Sequence, residues 1–275
     1  MRRKTPVAIL AAGVLAGLLP ALTPAAGAAS ADGAMSAAAG PTTLCAAGER
    51  IHVDGRWGDY VLMNNTLHPR SAPECISHYR PGPSFAVIRS GANSHGPESE
   101  AYPNLFSGCS WGFCSDRSAL PARVFSLRHP WVSWSARFRP AGKWDANLDM
   151  WLSRSAQVRG QVTGAEVMIW VSAHGFAHVG TVTRIDGIRW HFVHWTTRSL
   201  IQRHVTWPLI IFRTVRPRHR VGHLALKPFF RYLRRLHLIH RGYWLDSVHA
   251  GFEIWNGGRG LRMLRFQEGG GLQKH

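Results

Sequence analysis

The stretch Ala165-Glu166-Val167-Met168-Ile169-Trp170-Val171 decides how the chain is read. Its β-branched and aromatic residues suit a strand, and a strand sends alternate side chains to opposite faces. Glu166, Met168 and Trp170 then share one face, and Val167, Ile169 and Val171 share the other. A carboxylate in so apolar a strand is costly to desolvate unless its face lines a cleft. Two further stretches repeat the arrangement. Leu148-Asp149-Met150-Trp151-Leu152 sets Asp149 beside Trp151, and Gly251-Phe252-Glu253-Ile254-Trp255 sets Glu253 beside Trp255. Placed in one sheet, three such strands build a groove with carboxylates among flat aromatic surfaces. Aromatic faces suit sugar rings, and paired carboxylates suit hydrolysis of a glycosidic bond.

Outward from these strands the pattern continues. Short apolar runs broken by Gly, Pro, Ser and Asn occur at Tyr60–Met63, Phe85–Ile88, Val132–Phe138, Gly180–Ile185, Arg189–Thr196 and Leu209–Val215. Many strands at this spacing predict an all-β sandwich or barrel. One segment differs: Leu224–His240 carries apolar residues at helical spacing with an arginine-rich outer face, and Gly242 is the expected C-cap. The simplest organisation is one β-sandwich domain over 43–268, after a signal peptide at 1–31 and an Ala/Gly/Ser-rich linker at 32–42, and before a flexible glycine tail at 269–275. The leader reading rests on Arg2, Arg3 and Lys4, the apolar run Val7–Leu22 and the small residues Ala25–Ala31. It places the mature chain outside the cell.

Composition narrows the classes. Of 275 residues, 45% are hydrophobic, enough for a substantial core, and only 17% are charged. That excludes general disorder and long charged coiled coils. No clean run of about 18 apolar residues follows the leader, which excludes a membrane-spanning helix there. Lys and Arg number 33 against 15 acids, a net charge of +18. Such a field favours nonspecific contacts with anionic polymers, but no nucleic-acid motif accompanies it. The 16 His residues form no HExxH-like metal motif. Cys45, Cys75, Cys109 and Cys114 behind an export signal suggest two disulfides. Three pairings are open, the sequence-local one being Cys45–Cys75 with Cys109–Cys114. A zinc site is the weaker alternative, because Cys109 and Cys114 lack a second close ligand pair.

Taken in order, these motifs resemble glycoside hydrolase family 12, the compact β-jelly-roll endoglucanases. The run 166–170 is similar to the family's nucleophile strand. Gly251-Phe-Glu-Ile-Trp-Asn-Gly-Gly-Arg-Gly-Leu261 is similar to its acid/base strand, and Leu148–Leu152 to its Tyr-Asp-Ile-Trp-Leu segment. Tyr60–Asn65, Cys75-Ile76, and Ala101-Tyr-Pro103 leading to Cys109 and Cys114 fall in the family's order. The resemblance spans about 43–266. It implies a jelly-roll sandwich of two curved antiparallel sheets with a concave substrate cleft and one packed helix, and the local disulfide pairing. It also implies that Glu166 is the nucleophile, Glu253 the general acid/base and Asp149 a supporting carboxylate. Asn65, Trp151, Met168, Trp170 and Trp255 would line the substrate site. The implied partner is a β-glucan and the implied enzyme a monomer, using neither cofactor nor metal.

Three departures bear on substrate rather than on the catalytic pair. Leu67 stands where the family places a sugar-stacking Trp, a loss of about 1–3 kcal/mol of affinity by analogy with other base-stacking aromatics. His178-Val179-Gly180 replaces a Pro-containing loop across the cleft. The strong positive charge is unusual for an enzyme of neutral glucan. The sequon Asn64-Asn65-Thr66 coincides with a family strand and is discounted.

Overall fold

The computed structural model describes residues 40–273 apart from 57, 69–71, 80, 139–140, 157–158, 161–162, 178 and 199–204. The expected leader, the linker up to residue 39, His178 and the last two residues lie outside the described residues.

In chain order the strands are β1 (Thr42–Leu44), β2 (Glu49–Asp54), β3 (Asp59–Asn64), β4 (Glu74–His78), β5 (Phe85–Ser90), β6 (Asn104–Ser110), β7 (Phe113–Cys114), β8 (Ala122–Arg123) and β9 (Trp131–Arg137). They continue with β10 (Lys143–Ser153), β11 (Ala165–His174), β12 (Thr181–Ile185), β13 (Ile188–Arg198), β14 (Thr206–Thr214) and β15 (Arg220–Ala225). The helix α1 (Lys227–Arg235) follows, then β16 (Trp244–Asn256) and β17 (Arg262–Gly269). One sheet runs β1-β4-β5-β17-β9-β15. The larger runs β12-β13-β14-β11-β10-β16-β6-β3-β2, with β7 and β8 on its flanks.

The two sheets form a sandwich, and alternation decides what lies between them. On β10, Trp144, Ala146, Leu148, Met150 and Leu152 enter the main core; on β11, Val167, Ile169 and Val171; on β16, Val248, Ala250, Phe252 and Ile254. The other face of each of these strands is equally buried yet rich in acids and tryptophans. α1 closes the end of the core, its Phe229 ring 5.2 Å from Trp190 and its Tyr232 ring 5.3 Å from Phe192. Both disulfides form the sequence-local pairs, Cys45–Cys75 and Cys109–Cys114, which leaves no thiolate for zinc.

Four expectations need correction. The helix covers Lys227–Arg235 only, because Leu224 and Ala225 belong to β15 and Pro228 suits a first turn. It ends well before Gly242. His237 takes the left-handed conformation (φ 58°), its N–H bonds to Arg234 O, and Leu238 N–H reaches Leu233 O. That is the paired-bond terminator usually built on glycine. The sheets are not wholly antiparallel: β11 and β14 run parallel, Glu166 facing Leu209 and Trp170 facing Arg213. The stretch from 269 is no loose tail through Gln273, since Leu272 is buried and Gln273 hydrogen-bonds Ser107 and Glu268.

Candidate active site

β10 is the spine of the site. Its outward residues Asp145, Asn147, Asp149 and Trp151 form one row, with β11 on one side and β16 on the other. β11 sets Glu166 beside Trp151 and Met168 beside Asp149. β16 sets Glu253 beside Asp145 and His249 beside Asp149. Glu166 and Glu253 thus face the same side of one sheet from strands that flank a common neighbour. Their registers differ by six positions along β10, so any convergence comes from sheet curvature and side-chain reach. The charges do interact: Glu253 raises the pKa of Glu166, and Asp149 feels both glutamates.

Each carboxyl has its own surroundings. The Trp207 indole N–H donates to Glu166 Oε2 at 2.9 Å. Ser99 Oγ donates to Glu253 Oε1 at 3.4 Å, while Glu253 Oε2 has no partner. Asn147 Nδ2 donates to Asp145 Oδ1 at 2.6 Å, and the Tyr102 hydroxyl donates to Asn147 Oδ1 at 2.8 Å. Burial raises the pKa of all four carboxyls, and their mutual repulsion adds to the rise at Asp145, Asp149 and Glu166. The Trp207 hydrogen bond opposes the rise at Glu166. Four buried carboxyls held this way cannot all ionise near neutrality, so the cluster keeps bound protons.

The expected aromatic residues divide into two groups. Trp170 and Trp255 meet edge to face at 6.5 Å and pack with Met168, Leu209 and Ile211. Phe176 joins them, its ring 4.9 Å from Trp255, with Lys143 Nζ 5.1 Å above it. Trp151 instead pairs with Trp207 at 6.0 Å, beside the Glu166 end. Asn65 lies past the end of β3, where its carbonyl accepts from Tyr102 N–H. Leu67 is half-buried and tied by its N–H to Glu100 O, so position 67 offers no aromatic platform. Asn64 is fully buried and donates to two carbonyls, which explains why the sequon is a strand feature.

Asp145, Asn147, Tyr102, Trp207 and Phe176 were not foreseen. Asp145-x-Asn147-x-Asp149-x-Trp151 is a plain alternation, and following it two steps back from Asp149 finds the first two. Trp207 and Phe176 carry no such signal, because only the parallel β11–β14 pairing and the loop after β11 bring them in.

No protein-family model matches the sequence, and comparison with curated proteins gives no match. Solved structures do match. An endoglucanase from Rhodothermus marinus is 29% identical over 82% of this chain and 97% of its own, with a TM-score of 0.72. A metagenome-derived family 12 endoglucanase is 28% identical over 83% and 97%, also at 0.72. A family 12 xyloglucanase from Bacillus licheniformis is 16% identical over 83% and 99%, at 0.74, a likeness of fold alone. The matched span agrees with the span of the sequence motifs, and the two-sheet sandwich agrees with the expected jelly roll: this chain has the fold of glycoside hydrolase family 12.

Proposed function

We propose that the chain is an exported, monomeric, retaining endo-β-1,4-glucanase that cuts internal bonds of cellulose-like, mixed-linkage or xyloglucan chains. The observation that carries this reading is the single face on which Glu166 and Glu253 flank Asp145, Asn147 and Asp149, walled by Trp170, Trp255 and Trp151. The likeness to endoglucanases over four fifths of the chain supports it.

In the first step protonated Glu253 gives its proton to the glycosidic oxygen as that bond breaks. The Glu166 carboxylate attacks the anomeric carbon and forms a glycosyl ester. Esterification removes one negative charge from the cleft, and Glu253 then ionises more readily. It takes a proton from water, whose oxygen displaces Glu166 and restores both carboxyls. Trp207 favours the charged form of Glu166, the form that must attack. Without substrate, burial lifts Glu166 to about 8 and Glu253, which Asp145 and Ser99 both hydrogen-bond, to about 7, so the proton moves onto Glu253 only as substrate binds. Tyr102 fixes Asn147, and Asn147 fixes Asp145 next to Glu253, so the acid end is braced from β10.

Release of reducing ends from barley glucan and carboxymethyl cellulose tests the reading. Glu166→Ala and Glu253→Ala should each lose at least about 100-fold in turnover while melting as cooperatively as the parent. Near-normal turnover by either folded variant defeats the assignment. Leu67 supports a second reading, a catalytically weak glucan binder. It predicts retardation in glucan-containing gels without sugar release.

A further inference from the structure

Positive charge is densest along the stretch of sequence that runs from β11 through α1 to β16. Between Glu166 and Asp246 the sequence holds one acid, Asp186, against thirteen Lys and Arg. A shallow, half-open pocket of about 110 Å³ lies there, lined by Ile188, Arg189, Thr214, Val215, Arg216 and Arg218. All three arginines are exposed, and no acid lines the pocket. The backbone shapes it: Val215 N–H bonds to Arg189 O, while Arg218 N–H and Thr214 Oγ1 both bond to Val171 O. Arg184 stands directly across the β12–β13 ladder from Arg189. Asp186 sits in the turn that joins those two strands, where Arg184 bonds to Gly187 O.

Like charges placed opposite each other in a sheet cost stability. An arginine–carboxylate pair within bonding distance, Arg117–Asp54, lies elsewhere. Folded proteins accept such uncompensated local conflicts chiefly at functional sites. A planar guanidinium fork fits phosphate oxygens with two bonds at once, and three forks around a hollow fit one phosphate group. Charge continues beyond it, at Arg184 and at exposed Arg231, Arg234 and Arg235 of α1, whose Phe229 and Tyr232 pack on β13 and β14. One phosphate would leave these unanswered. We propose that this pocket binds a phosphate group of a linear phosphate-bearing polyanion, and that the neighbouring arginines hold further groups of the same chain.

The experiment titrates the chain with labelled linear polyphosphate at rising salt, with no glucan present, so it is independent of the hydrolase reading. The parent should bind with affinity that falls steeply with salt. Replacing Arg189, Arg216 and Arg218 together by Gln should cost at least about tenfold at fixed salt and flatten the log–log salt slope by about 2. Removing the same net charge elsewhere, through Arg89→Gln, Arg128→Gln and Arg137→Gln, should cost less than about threefold. The pocket variant should melt no lower than the parent, because it relieves repulsion; if it fails to fold, Arg189→Gln and Arg216→Gln singly should each weaken binding while the control singles do not. Equal losses in pocket and control variants would overturn the proposal in favour of diffuse charge. Competition by inorganic phosphate at matched phosphate concentration would overturn it in favour of a free-ion site, and equal affinity for polygalacturonate would overturn the preference for phosphate.

Discussion

Trp207 donates to Glu166 at 2.9 Å in a cleft where burial and neighbouring charge both oppose ionisation of that carboxyl. Asp149, the supporting carboxylate that the sequence motifs imply, stands beside Met168 with one oxygen unpartnered and interacts with Glu166 through charge. Trp207 is therefore the candidate positioning residue beside Glu166. Trp207→Phe keeps the ring against Trp151 and removes the donor. We expect kcat on barley glucan to fall about tenfold, as for loss of a hydrogen bond to a charged group, with KM little changed. The acid limb of the pH profile should move upward, since the carboxylate loses the bond that favoured it; an unmoved limb would assign Trp207 to packing alone. Glu166 and Glu253 themselves were legible because an acid in an apolar strand is rare. Trp207 was not, since one Trp in an apolar strand looks like core and nothing local announces its partner.

At the scale of elements, alternation was the usable signal. It located the central strands β10, β11 and β16 and the face each turns to the cleft. It failed where side chains do not alternate cleanly. β6, buried on both faces, went unnoticed, and the parallel approach of β14 to β11 has no local mark at all. The helix ended early because His237 supplies the left-handed residue that glycine usually supplies, which no periodicity reveals. Gly251 shows how tightly these elements meet. It lies two residues before Glu253, opposite Asn147 on one side and Asn104 on the other. A Cβ there would sit 2.4 Å from Pro103 O and 2.7 Å from Asn104 Cβ. Gly251→Ala should therefore push β16 from β6 and cost about 1–3 kcal/mol, read as a lower Tm, with a loss of glucan turnover because Glu253 shifts with its strand. Unchanged melting would mean that β6 yields freely.

Across the whole molecule, buried carboxyls make stability depend on pH. Burial pushes Glu74 and Glu268 up to about 8 from 4.5. Each keeps its proton in the fold and loses it in the unfolded chain, so each lowers stability as pH rises from 4.5 to 8, by up to about 1.4 kcal/mol per pH unit. His249, buried and pushed down to about 3 from 6.5, works in the opposite sense, and only below pH 6.5. Between pH 6.5 and 8 the buried carboxyls and His52, raised by its hydrogen bond to Asp59, act in the same sense, and Tm should fall. Glu74→Gln should flatten that fall, because both Glu74 oxygens are buried without partners; a Tm that rises over this range would contradict the assignment. None of this was legible in the sequence, since burial of one particular Glu or His follows from packing between distant strands. The central claim is chemical, and mass spectrometry of the whole chain tests it most directly. After incubation with 2,4-dinitrophenyl 2-deoxy-2-fluoro-β-cellobioside, the protein should gain the mass of one fluorocellobiosyl group, carried on the peptide that contains Glu166 and absent from Glu166→Ala. An enzyme that hydrolyses glucan yet carries the label on another residue, or takes none, would contradict the account.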